Sequence, residues 1–212
     1  MPTQRLTPEQ ITSAALQLID ADGLAAVSMR ALAQRLGVGT MTLYGYYRSR
    51  EELLDAVVDA ATASAAKHRD PGAAGVDPTA ELTALFTALH RTLSEHPGLY
   101  RIRMSRPFLS PGVLRLCDQA IGQLLRAGLD DTAAVHGYRT LYLFTLGCVT
   151  YAGQDPADTR TALAALPSSD FPHLVRVAPR MAQAAGGPDE FAGGLRTVLA
   201  AVLADAARPA SG

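Results

Sequence analysis

Residues 28–50, SMRALAQRLGVGTMTLYGYYRSR, read as two short helices joined by the turn Leu36-Gly37-Val38-Gly39. The stretch holds four arginines (Arg30, Arg35, Arg48 and Arg50), three tyrosines (Tyr44, Tyr46 and Tyr47) and no acidic residue. The whole chain has a net charge of -1, so this segment is a local cationic patch against a balanced background. A helix-turn-helix needs a small second helix that fits a major groove and cations beside it to meet phosphates. The segment supplies both, and double-stranded DNA is the expected partner.

The flanks read as helices that hold this unit. Upstream, Thr7 is placed as an N-cap, Pro8 as the first helical residue and Gln10 as the second half of a capping box. Leu6 and Ile11 take the positions of a hydrophobic staple. Ile11, Ala15, Leu18 and Ile19 form one apolar face, and Gly23 ends the helix. The second helix starts at Ser28 and stops before Gly37. The third runs from about Thr40 to Tyr46 with Leu43 as its anchor. Ser49 and Glu52 form a second capping box, opening a fourth helix with Leu53, Leu54, Val57, Val58 and Ala61 on its apolar positions.

Beyond a Pro- and Gly-rich loop at residues 69–77, the chain continues as helix. Helices are predicted over about 78–95, 98–105, 110–127, 130–153, 172–184 and 188–207, with 154–169 irregular or a short helix. No segment shows sustained period-two alternation. The fold class is therefore all-α, an N-terminal helix-turn-helix head of three helices followed by a larger helical domain. The expected boundary separates residues 1–48 from 49–212, with helix 49–68 as connector.

Composition fits this picture. The 212 residues are 48% hydrophobic and 18% charged, enough for a sizeable core. Cys117 and Cys148 make no CxxC spacing and no disulfide framework, so both are expected as buried small hydrophobes in a reducing compartment. The N-terminal MPTQRLTPEQ lacks the apolar run of a signal peptide, and Leu141–Val149 is too short to span a membrane. A cytoplasmic protein with no membrane partner is expected. Catalytic readings fail on constellation. The five histidines show no HxxxH metal spacing, and no GxSxG, Walker loop or dinucleotide fingerprint is present. No catalytic residue, metal or cofactor is predicted.

The residues Ile11 to Ala15, Gly23, Ser28-Met29-Arg30, Leu32-Ala33, Leu36-Gly37-Val38, Thr42 to Tyr47 and Glu52-Leu53-Leu54 resemble the tetracycline-repressor family of bacterial transcriptional regulators. The resemblance covers about residues 7–60 well and the remainder more weakly. In the remainder, Phe144 to Val149 look like the family's long dimer-forming helix. Phe171 to Leu174 and the pair Phe191 and Leu195 also look like the C-terminal domain of the tetracycline-repressor branch. The resemblance implies an all-helical homodimer with one DNA-binding head per subunit and a ligand pocket in each C-terminal domain.

The resemblance also assigns roles. Thr40, Met41, Thr42, Tyr44 and Gly45 fall where the family's recognition helix faces DNA, Tyr46 follows them, and Ser28, Met29 and Arg30 match the start of the preceding helix. Threonine hydroxyls suit bases or phosphates, and the Met and Thr methyls suit a thymine methyl. Arg30 suits a two-pronged guanine contact. Arg50 matches a phosphate-binding position at the next helix's N-terminus. Leu43 and Tyr47 are expected to pack, and Arg35 to be solvated or structural. The family's namesake has a bulky aromatic where this chain has Gly45.

In the C-terminal domain the helix at about 130–153 is apolar on several faces, and the helix at 188–207 carries a stripe of Phe191, Leu195, Val198, Leu199, Val202 and Leu203. These two helices and their symmetry mates are the expected homodimer interface. A two-fold dimer calls for a palindromic operator with recognition helices about 34–36 Å apart. Candidate ligand-lining residues are Phe86, Leu89, His90, Leu93, Met104, Arg106, Cys117, Ile121, Tyr138, Arg139, Tyr142 and Leu143. Arg106-Pro107 resembles an Arg-Pro pair in the namesake's pocket. The namesake's metal-chelate site has a histidine where this chain has Ile102 and an acid where it has Tyr151. Neither side chain suits Mg²⁺, so a small organic ligand bound without metal is expected. The leading reading is a repressor released from its operator by such a molecule. Two others stand beside it: a DNA-binding regulator with no small-molecule ligand, and a helical small-molecule-binding protein with a vestigial head.

Overall fold

The computed structural model describes residues 6–66, 77–105, 110–151, 156–184 and 188–204, and the regular elements among them are all helical. Helix α1 spans Pro8–Asp22 and opens on the capping box its sequence announces. Gln10 N donates to Thr7 Oγ1 at 3.3 Å, and Thr7 N donates to Gln10 Oε1 at 2.9 Å. It ends at Gly23, whose φ of 83° lies where a side chain would strain the backbone. A three-residue 3-10 turn, Leu24–Ala26, follows. That turn is too short to show periodicity and is absent from the sequence reading.

Helix α2, Met29–Leu36, starts at the Ser28 cap, with Ala31 N donating to Ser28 Oγ at 3.1 Å. It ends in a Schellman motif. Gly37 sits at φ 66°, Val38 N donates to Ala33 O at 3.0 Å, and Gly37 N donates to Gln34 O at 3.2 Å. Helix α3, Thr40–Tyr44, stops two residues short of the predicted end. The Gly45 N–H divides between Met41 O and Thr42 O, both at 3.2 Å, and the helix frays there. Helix α4 spans Arg50–Ala66. Glu52 N donates to Ser49 Oγ at 3.1 Å, but the Glu52 carboxylate accepts from Arg48 N at 2.6 Å rather than from Ser49 N. The reciprocal half of the predicted box thus reaches one residue further back, with the negative charge still at the positive end of the helix.

The other helices are α5 Pro78–Glu95, α6 Pro97–Ser105, α7 Pro111–Arg126, α8 Asp131–Tyr151, α9 Pro156–Ala164, α10 Pro172–Ala184 and α11 Pro188–Ala204. Helix α9 resolves the stretch read as irregular or short helix. Most of the predicted loop at 69–77, and Gly153, lie outside the described residues. The chain forms two compact units. One combines residues up to 74 with 91–120, and the other combines 75–90 with residues from 121 onward, so α5 and α7 contribute to both.

In the first unit α1 packs against α2, α4, α6 and the 3-10 turn. Ile11, Ala15, Ile19, Leu32, Leu43, Leu53 and Val57 are buried together. Each large member of such a core contributes about 1.5–3 kcal/mol. Helix α6 lies against α1, α4 and the turn. Gly98 permits this approach, because a Cβ there would lie 1.9 Å from Ile19 Cγ2. In the second unit α8 packs on α11 and α9 on α10. Leu82, Phe86, Leu89, Leu124, Leu141, Phe191, Leu195 and Leu199 form its core.

Candidate nucleic-acid interface

The head presents α3 as a short ridge on a rigid base. Leu43, fully buried, pins α3 to the core, and Tyr47 packs below it at 8% exposure. Burial and the nearby charges of Glu9 and Glu52 push the Tyr47 phenol up, as befits a packing residue. On the outer side Met41 is 80% exposed and Tyr44 is 45% exposed. Thr42 and Gly45 are exposed beside them and Thr40 is half-buried. Ser28, Arg30, Arg35 and Arg48 are also exposed. The exposed surface between Ser28 and Tyr44 therefore combines hydroxyls, apolar methyls and cations with no carboxylate.

Three residues nominated from sequence sit differently. Met29 is buried at 6% exposure, filling core rather than meeting solvent. The Tyr46 hydroxyl donates to Leu6 O, tying the end of the α3 segment to the residue before α1's cap. Arg50 is half-buried. Its Nε donates to Val27 O at 2.7 Å and its Nη2 to Leu24 O at 2.8 Å. Its guanidinium thus grips the backbone around the 3-10 turn.

Several joints had no sequence signal because their partners are far apart in the chain. Asp59 on α4 accepts from the Ser110 hydroxyl and from Gly112 N, the latter at 2.9 Å, and so caps the start of α7. A Cβ on Gly112 would lie 2.9 Å from Asp59 Oδ1 and 3.0 Å from the Asp59 carbonyl oxygen. His96 Nδ1 lies 2.6 Å from Asp20 Oδ2, joining the start of α6 to the end of α1.

Of the candidate ligand-lining residues, Phe86, Leu89 and Leu93 are buried. His90, Cys117, Ile121, Tyr138 and Tyr142 are half-buried, and Arg139 and Leu143 are exposed. Arg106 and the Met104 side chain lie outside the described residues. In the second unit the His90 ring stacks on Phe191 with centroids 3.9 Å apart, and Phe144 lies 5.8 Å away on Phe191. Tyr138 and Tyr142 stack at 5.7 Å. Burial lowers the His90 pKa below its ordinary 6.5, so the ring is held neutral, with one donor and one acceptor nitrogen. Burial and the Glu190 charge push the Cys148 thiol up, away from a reactive thiolate. Ile102 is core at 1% exposure. Among the described residues no group of His, Cys, Asp or Glu could hold a metal ion, and no helix is long and apolar enough to cross a membrane.

The chain is similar to known proteins in sequence and in fold. The profile described as "Bacterial regulatory proteins, tetR family" matches residues 11–57, and "Tetracyclin repressor-like, C-terminal domain" matches residues 73–205. The HTH-type transcriptional repressor DrrR1 of Streptomyces coeruleorubidus is 33% identical over 164 residues, covering 76% of this chain. The chain spans 60% of the length of DrrR1. Among solved structures, apo ActR from Streptomyces coelicolor superposes with a TM-score of 0.78 at 30% identity, covering 97% of this chain and 98% of ActR. ActR in complex with actinorhodin gives a TM-score of 0.77 at 29% identity, with the same coverage.

Proposed function

The chain belongs to the tetR family of bacterial regulatory proteins, and we propose that it is a ligand-responsive transcriptional repressor that binds a palindromic operator as a homodimer. The observation that carries this reading is the α3 ridge, with exposed Met41, Thr42 and Tyr44 on a base pinned by Leu43. Residues 1–48 act as the head, α4 as connector, and the remainder as ligand-binding and dimerisation domain. Ser28, Arg30, Thr40, Met41, Thr42, Tyr44 and Gly45 meet DNA, while Met29, Tyr46 and Arg50 hold them in place. Arg30 forks onto a guanine, the α3 methyls meet thymine methyls, and Ser28 donates its hydroxyl proton to a phosphate.

The ligand is a small organic molecule held without metal by the aromatic and apolar side chains of α5, α7 and α8. The similar protein ActR has been crystallised in complex with actinorhodin. The stacked rings of His90, Phe191 and Phe144 and the neutral His90 favour a planar compound with a hydrogen-bonding edge. The protein acts on cytoplasmic DNA and performs no catalytic step. The ligand favours a conformer in which α4 tilts and the two heads no longer match the operator, to the extent of its differential affinity for the two conformers. A gel-shift titration on DNA flanking the protein's own gene tests the reading. Sequence-selective binding at moderate salt is expected, and its absence would sink the proposal.

A further inference from the structure

The arginines of residues 28–50 divide into two kinds. Arg30, Arg35 and Arg48 are exposed, while Arg50, the first residue of α4, turns inward. Its two bonds reach carbonyls that bracket the 3-10 turn: Leu24 opens it, and Val27 is the extended residue just before the Ser28 cap of α2. The other bond to Leu24 O is a long one, from Val27 N at 3.4 Å. A charged donor to a carbonyl is roughly twice as strong as a neutral one. The guanidinium is planar, so two bonds from one group fix a direction as well as a distance. The same turn receives α6, and α4 is held nine residues further on by the Asp59 cap of α7.

We propose that Arg50 is a positioning residue that sets the angle at which α2 and α3 leave the connector α4, and not a phosphate ligand. This rests on the reading of α3 as the DNA-contacting helix. The charge of Arg50 then contributes no released counterion on binding. A lysine, with one compact ammonium and no fork, does not replace it.

The test uses an operator selected from a random duplex library by the full-length wild-type protein. Wild type, Arg50→Gln and Arg50→Lys are titrated with it across a salt series, at a temperature where circular dichroism shows equal helix content. Both variants should bind at least roughly tenfold more weakly, the scale of one charged hydrogen bond lost. The slope of log affinity against log salt should stay that of wild type. Discrimination against an operator with one base pair inserted at its centre should shrink, an effect that simple loss of stability does not produce. A slope shallower by about 0.9 per subunit in Arg50→Gln, wild-type affinity in Arg50→Lys, or unchanged spacing discrimination would overturn the inference and leave the DNA-binding reading intact. Failure of the wild-type protein to select any sequence would overturn both.

Discussion

Arg30 leaves α2 at its second residue, exposed, two residues after the Ser28 cap. A forked donor on a rigid stem is suited to reading one base pair. Arg30→Ala should cost about 1–3 kcal/mol of operator affinity and relax selectivity at a single position. Competition binding against operators substituted one base pair at a time checks this. A uniform loss across all sequences would make Arg30 a phosphate contact instead. His90 is the opposite case, a titratable group whose burial lowers its pKa below 6.5. The unfolded chain takes up the proton first as pH falls, so the folded state loses stability from about pH 6.5 down to the lowered value and none above it. Thermal melts at pH 7.5 and 5.5 should show a larger loss for wild type than for His90→Phe, which keeps a ring against Phe191. Equal losses would place the pH dependence elsewhere.

At the scale of elements, what the sequence reveals depends on how local the cause is. Thr7 and Gln10 are three residues apart and Gly37 acts on its own helix end, so the start of α1 and the end of α2 are legible from composition. The family resemblance carries the α3 surface in the same way. Arg50 is legible as a cation at a helix N-terminus, but not as a clamp, because its acceptors lie 23 and 26 residues away. Tyr46 and Leu6 are 40 residues apart, and Asp59 and Ser110 are 51 apart. No periodicity reports such pairs. Met29 shows the converse difficulty, since an eight-residue helix is too short for its pattern to separate a buried position from the exposed neighbours Ser28 and Arg30. The α4–α7 joint yields a direct prediction. A methyl at Gly112 meets the backbone of Asp59, which cannot rotate aside. Gly112→Ala should therefore destabilise the protein by about 1–3 kcal/mol, read by urea unfolding, although alanine is the better helix former. A neutral or stabilising result would mean that α7 slides along α4 without cost.

At the scale of the whole molecule, α8 and α11 of the second unit carry an exposed face of apolar and small residues. On α8, Val135, Arg139, Leu143 and Gly147 recur every fourth residue and are all exposed, with Leu143 at 58%. An added Cβ on Gly147 would meet nothing within 4 Å. On α11, the packing partner of α8, Ala200, Ala201 and Ala204 are exposed. Small residues let helices approach closely, and Val135 and Leu143 leave apolar area on the same face for a partner to cover. This face suits the homodimer proposed above, which moves Arg139 and Leu143 from ligand-lining candidates to the subunit interface. Two recognition helices would then meet half-sites about 10–10.5 base pairs apart, or a multiple of that spacing. Leu143→Glu puts a charge from each subunit into the proposed interface. It should yield a monomer by analytical ultracentrifugation, with helix content unchanged. Operator affinity should fall by roughly 100-fold or more, because the second half-site is no longer tethered to the first. A dimeric Leu143→Glu protein, or a monomer that binds its operator like wild type, would refute this use of the face.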